Sequence, residues 1–194
     1  LSFTGQEATG VVEYSANGTS GWAATFTAVE GANTIYVRQK DAAGNVGDAS
    51  AALTFTKDTQ APTAVPTLSS IWVTDPSKTD GSEIQWPGNT GQTSIGDNTP
   101  TIKGTLSQAI DTSVETIQVM EGNTVLTGTV AVNGTDWKFT SSGLSNSAHN
   151  LTARVVDLAG NVGTVSTTPL TVPVITWTAP APIVEGTPLS AAQL

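Results

Sequence analysis

The chain has 194 residues, and only 12% of them are charged, against roughly a quarter in an average domain. Its net charge of −9 comes from 16 carboxylates and 7 basic side chains, a balance that repels phosphate backbones and anionic lipid, so no nucleic-acid partner is expected. With no cysteine the chain forms neither disulfides nor thiolate metal sites, and no apolar run approaches the roughly 20 residues that span a bilayer, so no membrane insertion is expected.

Thr, Val, Ser, Gly, Ala and Asn dominate while strong helix formers are scarce, which favours an all-β fold. Along the chain, short alternating segments are separated by Gly/Asn turns, the pattern of antiparallel strands. The first are "TGVVEYS" (9–15), "AATFTA" (23–28), "TIYVRQ" (34–39) and "ALTFT" (52–56). "KDTQAPTAVPT", with Pro62 and Pro66, then reads as a linker or the entry to a new module. A polar stretch over 69–98, holding Asp75, Asp80, Glu83 and Asp97, is expected to be a long polar loop, much of it irregular, with "SIWV" and "EIQW" as short strands inside it. Strands resume with "TIKGTL" (101–106), "ETIQVM" (115–120), "VLTGTVAV" (125–132), "WKFT" (137–140), "HNLTARVV" (149–156) and "TTPLTV" (167–172).

The chain also repeats itself. "KDAAGNVG" at 40–47 returns as "VDLAGNVG" at 156–163, and Asp41 and Asp157 lie 116 positions apart (157 − 41). Asn17-Gly18-Thr19 matches Asn133-Gly134-Thr135, Trp22 matches Trp137, and residues 36–41 match 152–157. Two similar halves at this spacing predict tandem modules of about 100 residues. The expected organisation is an incomplete module at 1–60, lacking one or more opening strands, and a complete module at 61–173 with the 69–98 loop. A stretch at 174–194 matches neither half and reads as the start of a third module. On this reading the chain is cut from something longer, and its tail strand docks on the second module or on a neighbouring chain by strand exchange.

The repeated turn has a local explanation. Gly44 and Gly160 accept positive φ, and Asn45 and Asn161 tolerate the left-handed region, so each copy closes a tight hairpin. The carboxylate, nearby carbonyls and Asn amide also make an oxygen set of the kind Ca²⁺ takes, although no EF-hand loop is present.

"YVRQKDAAGNVGDASAALTFTKDTQAP" and "DNTPTIKGTL" followed by "WKFTSSGLSNSAHNLTARVVDLAGNVG" resemble the bacterial immunoglobulin-like repeats of large secreted RTX-type and biofilm-associated adhesins. The tail, "VITWTAPAPIVEGTPLSAAQL", is similar to the MBG-type adhesin repeat, with Glu185 where that repeat usually has Tyr. The resemblance implies tandem seven-stranded Greek-key sandwiches used as a spacer, secreted to the bacterial cell surface, whose partners are the neighbouring modules of the same chain. It also implies Ca²⁺ at module junctions, stiffening the array in the service of adhesion or biofilm formation. Carried onto this sequence, the candidate ligands are Asp58 in the linker, Asp157 and Asp41 in the two turns and Asp111 between two predicted strands, with Asp97 in a second acidic group.

No enzyme activity is expected. His149 is the sole histidine, and no Gly-x-Ser-x-Gly elbow accompanies it, so it reads as a strand-surface residue. The rival functions are a ligand-binding module for carbohydrate or a host protein, which would need an exposed aromatic or polar patch on one face, and an accessory domain of a secreted enzyme.

Overall fold

The computed structural model describes residues 10–75, 79–86 and 96–174, and the chain divides into two compact units, Leu1–Gln60 and Ala61–Leu194. The expected tail strand and Trp177 lie outside the described residues.

Unit 1 holds three antiparallel strands in the order β1 (Val11–Ser15), β2 (Gly31–Lys40), β3 (Leu53–Lys57). Alternation along β2 buries Asn33, Ile35 and Val37 and leaves Thr34, Tyr36 and Arg38 half-exposed on the other face. On that outer face the Arg38 guanidinium stacks 4.2 Å from the Trp22 ring centre and pairs with Glu13 of β1 at 2.8 Å. The expected strand at 23–28 does not form. Ala23 alone pairs, with Tyr14, and alternation without a continuous ladder partner does not make a strand.

Unit 2 is a two-layered sandwich. One sheet has the order β5-β4-β6-β10-β9, from β4 (Pro66–Thr74), β5 (Glu83–Trp86), β6 (Thr101–Leu106), β9 (Gly128–Asn133) and β10 (Asp136–Ser141). The other has the order β12-β11-β7-β8, from β7 (Glu115–Glu121), β8 (Thr124–Val125), β11 (His149–Asp157) and β12 (Leu170–Val172). Inward residues of the first sheet, among them Ile71, Ile102 and Phe139, meet Val119, Leu151 and Val155 of the second in one core. All strand neighbours are antiparallel, and the chain changes sheet after β6, β8 and β10.

Two expectations need correction here. Within 69–98 both expected short strands form, and the first, expected over 70–73, belongs to a longer strand that begins at Pro66. β4 continues through Thr74 and pairs with β5, while Ile71 and Val73 point inward between exposed Ser69 and Thr74. A bulge between Leu68 and Ser70 breaks the alternation that would have disclosed the strand. The run "VLTGTVAV" is not one strand either. β8 belongs to the sheet of β7 and β9 to the sheet of β10, because a period-2 pattern continues unchanged where the chain crosses from one layer to the other.

Trp137 is buried at 3% exposure, and its ring packs against Gly104 of β6. A Cβ on Gly104 would stand 1.8 Å from the Thr67 carbonyl oxygen and 2.7 Å from the Trp137 ring. The backbones and the indole leave no room for it. Gly104→Ala is therefore expected to cost about 2–3 kcal/mol through overpacking, measured by urea unfolding. A loss within error of zero would show that β6 and Trp137 can move apart freely.

Candidate functional site

Both copies of the Asp-x-Ala-Gly-Asn-Val-Gly turn build the same hydrogen-bonded hairpin. In unit 2 it joins β11 to the segment leading to β12. The Asn161 backbone N–H donates to Asp157 Oδ1 at 2.8 Å, and the Asn161 side-chain amide donates to Oδ2 at 2.9 Å. The Asp157 N–H donates to the Asn161 carbonyl, the Gly160 N–H to the Asp157 carbonyl, and the Gly163 N–H to Val155. In unit 1 Asn45 makes the same two bonds to Asp41, at 2.8 Å each, and Gly44 and Gly47 repeat the backbone set. Gly44 and Gly160 carry φ of 95° and 90°, a region that side chains with a Cβ avoid. Beyond the turn the match continues. Ser50 and Ser166 each exchange a pair of bonds with the strand opposite, at Val37 and Ala153 respectively.

The Asn amide and the turn's N–H groups hold both Asp carboxyls below the usual carboxylate range, the Asn side-chain bond being the largest cause in each. These carboxylates therefore act first as staples for their own turns. The other expected ligands are engaged in the same local way. Asp111 Oδ1 accepts the Ser113 N–H and hydroxyl at 3.0 and 2.6 Å. Asp97 accepts from the backbone and hydroxyls of Thr74 and Thr99, tying the end of β4 to the approach to β6. Asp58, in unit 1, accepts the Gln60 N–H at 3.0 Å.

The structure brings Asp111 and Asp157 to the same end of the β7–β11 pair. Asp157 is the register partner of Glu115, and a Glu115 carboxylate oxygen accepts the Asp111 N–H. Among the described residues, however, no group of three or more acidic or histidine side chains is arranged to hold a metal ion. Ca²⁺ takes six to eight oxygens, and each of these carboxylates already accepts hydrogen bonds within a turn.

Sequence reasoning misplaced His149. It is buried, at 4% exposure, rather than on the strand surface. Nδ1 lies 2.9 Å from a Glu121 carboxylate oxygen and Nε2 lies 3.1 Å from the Ser145 carbonyl oxygen. Both of these oxygens can only accept, which favours the protonated ring, and the Ser145 and Ser147 hydroxyls also lie 3.4 and 3.5 Å from Nε2. Burial pushes the histidine pKa down, but the bonds to Glu121 and Ser145 outweigh it and the net shift is upward from 6.5. The equivalent residue in unit 1, 116 positions earlier, is Asn33, also buried. Its amide donates to the Val29 carbonyl at 2.7 Å and its oxygen accepts the Val29 N–H at 2.9 Å. Each unit thus anchors the loop before its central strand to a residue four positions later, with an Asn amide in one unit and a histidine bonded to Glu121 in the other. Strand alternation, which puts position 149 in phase with Leu151, Ala153 and Val155, was the signal that could have found it.

The tryptophans form no platform among the described residues. Trp137 is core, Trp22 lies under Arg38, and Trp72 is capped by the Lys103 ammonium at 3.5 Å.

These strands and sheets define the class. β4-β6-β10-β9 against β12-β11-β7 is the A-B-E-D against G-F-C arrangement of an immunoglobulin-like sandwich, with β8 extending one sheet and β5 the other. Residues 80–173 match the family model of the bacterial Ig-like domain, which supports a domain of that type in unit 2. No match to a curated protein was found.

Two outcomes follow. Asp157→Ala and Asn161→Ala are each expected to lower the melting temperature, while the double variant loses scarcely more than either single one, because both remove the same staple. Strict additivity in this double-mutant cycle would dissolve the pairing. For His149, the raised folded pKa contributes stability that is fully present below about 6.5 and is lost as pH rises through the folded value. Unfolding free energy followed by denaturant titration should fall across that window. Glu121→Gln should flatten the fall, and an unchanged slope would remove Glu121 as the cause.

Proposed function

We propose that this chain is a structural module of a bacterial cell-surface protein, a spacer that adds length and carries no reaction centre. The observation that supports it best is the match of residues 80–173 to the bacterial Ig-like domain. The chemistry of the polar groups agrees with it. Each Asp of the candidate set accepts hydrogen bonds from its own or an adjoining turn, and His149 holds a loop. These are residues spent on fold rather than on a substrate. On this reading adhesion or biofilm formation belongs to the whole surface protein, and the present chain supplies distance and mechanical resistance. The long antiparallel ladders of β4 with β6 and of β7 with β11 suit that role. Calcium stiffening at module junctions rests on the sequence resemblance alone.

A spacer must resist extension. Pulled from its ends in single-molecule force spectroscopy, the segment 61–173 should unfold in one event that releases about 350 Å of chain, from roughly 3.5 Å per residue less the folded span. Gradual lengthening without a force peak would count against the spacer reading. Melting curves in millimolar calcium and in EDTA decide the metal component separately, since coincident curves would remove it. A positive hit on a glycan or host-protein array would instead favour a ligand-binding module.

A further inference from the structure

The same strand pair occurs in both units, covered in one and open in the other. Asn33 stands opposite Phe55 and Ile35 opposite Leu53, just as His149 stands opposite Val172 and Leu151 opposite Leu170. Directly opposed residues of an antiparallel pair share a face, so Leu53 and Phe55 extend the face on which Asn33, Ile35 and Val37 are buried. In unit 2 the equivalent positions are interior. Val172 is 0% exposed and Leu170 packs on the core. The strand of the opposite sheet that lies against β11 and β12 is β4. In unit 1, Leu53 is 45% and Phe55 38% exposed. Phe26 meets Phe55 edge-on at 6.4 Å and covers part of it. Among the described residues, unit 1 has no strand in the place that β4 takes in unit 2, and β3 has a ladder partner on one side only.

We propose that the inner face at β3 is a docking site for an extended polypeptide strand with the chemistry of β4. Unit 2 shows what such an occupant needs. It must be uncharged and extended, with apolar residues at alternate positions that turn inward as Ile71 and Val73 do. Leu53, Phe55 and Ile35 carry no charge to recruit a polar partner, and the chain's net charge of −9 disfavours acidic ones. The occupant is a strand partner rather than a second copy of this chain, because β4 in every copy is already committed to its own core.

The test uses the full 194-residue protein, ¹⁵N-labelled, titrated with an unlabelled synthetic peptide of residues 61–74, APTAVPTLSSIWVT, with its termini blocked. Saturable shifts at the amides of β3 and the buried positions of β2 are expected. Phe55→Asp should weaken binding about tenfold or more, since it places a charge in the buried contact. Val125→Asp, at an exposed position of β8, should leave it unchanged. If Phe55→Asp fails to fold, a peptide carrying I71D and V73D tests the same contact with the protein intact, and its binding should be equally weakened. Absence of shifts at millimolar peptide, or shifts confined to unit 2, would overturn the proposal. So would concentration-dependent dimerisation through β3 without peptide, seen by analytical ultracentrifugation, which would assign the face to a second copy.

Discussion

A sheet whose one face is apolar must have that face covered, and the central strand of each unit makes this requirement acute. On β11, Leu151, Ala153 and Val155 are fully buried, so their transfer out of water is available only while the opposite sheet is in place. Everything else in unit 2 serves that closure. Trp137 and Phe139 fill the space from the facing layer, Gly104 lets the indole lie against the backbone, and the bulge in β4 turns Ile71 and Val73 inward. Unit 1 repeats the strand pair but leaves part of its face open at Leu53 and Phe55. The contrast between them is a matter of covering, since the strands, register and hairpin are alike.

Polar residues in this chain are used to fix loops to strands. The Asp–Asn staple closes the hairpin after the central strand, and Asn33 or His149 anchors the loop before it. Both ends of the central strand are thereby pinned in each unit. A carboxylate already accepting two bonds in its own turn is a poor recruit for an ion that demands six or more oxygens converging from several directions. Among the described residues the carboxylates form no group of three or more that could hold a metal ion.

Much of the fold was legible beforehand. Strand positions, the absence of helix among the described residues and the repeated turn followed from alternation and from Gly and Asn at fixed offsets, which are local properties. The errors about strands were of one kind. The segment at 23–28 alternates yet lacks a ladder partner, "VLTGTVAV" alternates across a change of sheet, and β4 hides behind a bulge and its outward serines. For the candidate site, the stapling role of Asp41 and Asp157 could be read from the turn. The burial of His149 was signalled by alternation along its strand, but its pairing with Glu121 could not be read, since the two lie 28 residues apart in the chain.

The amino-acid sequence by itself determined the all-β class, the two hairpins with their Asp–Asn closures, and the acidic, cysteine-free surface, because each depends on residues a few positions apart. Tertiary structure alone decided which strands share a sheet, which faces are covered and which charges meet. Those outcomes depend on contacts between residues far apart in the chain, and the free energy of burying a face is set by what lies opposite it.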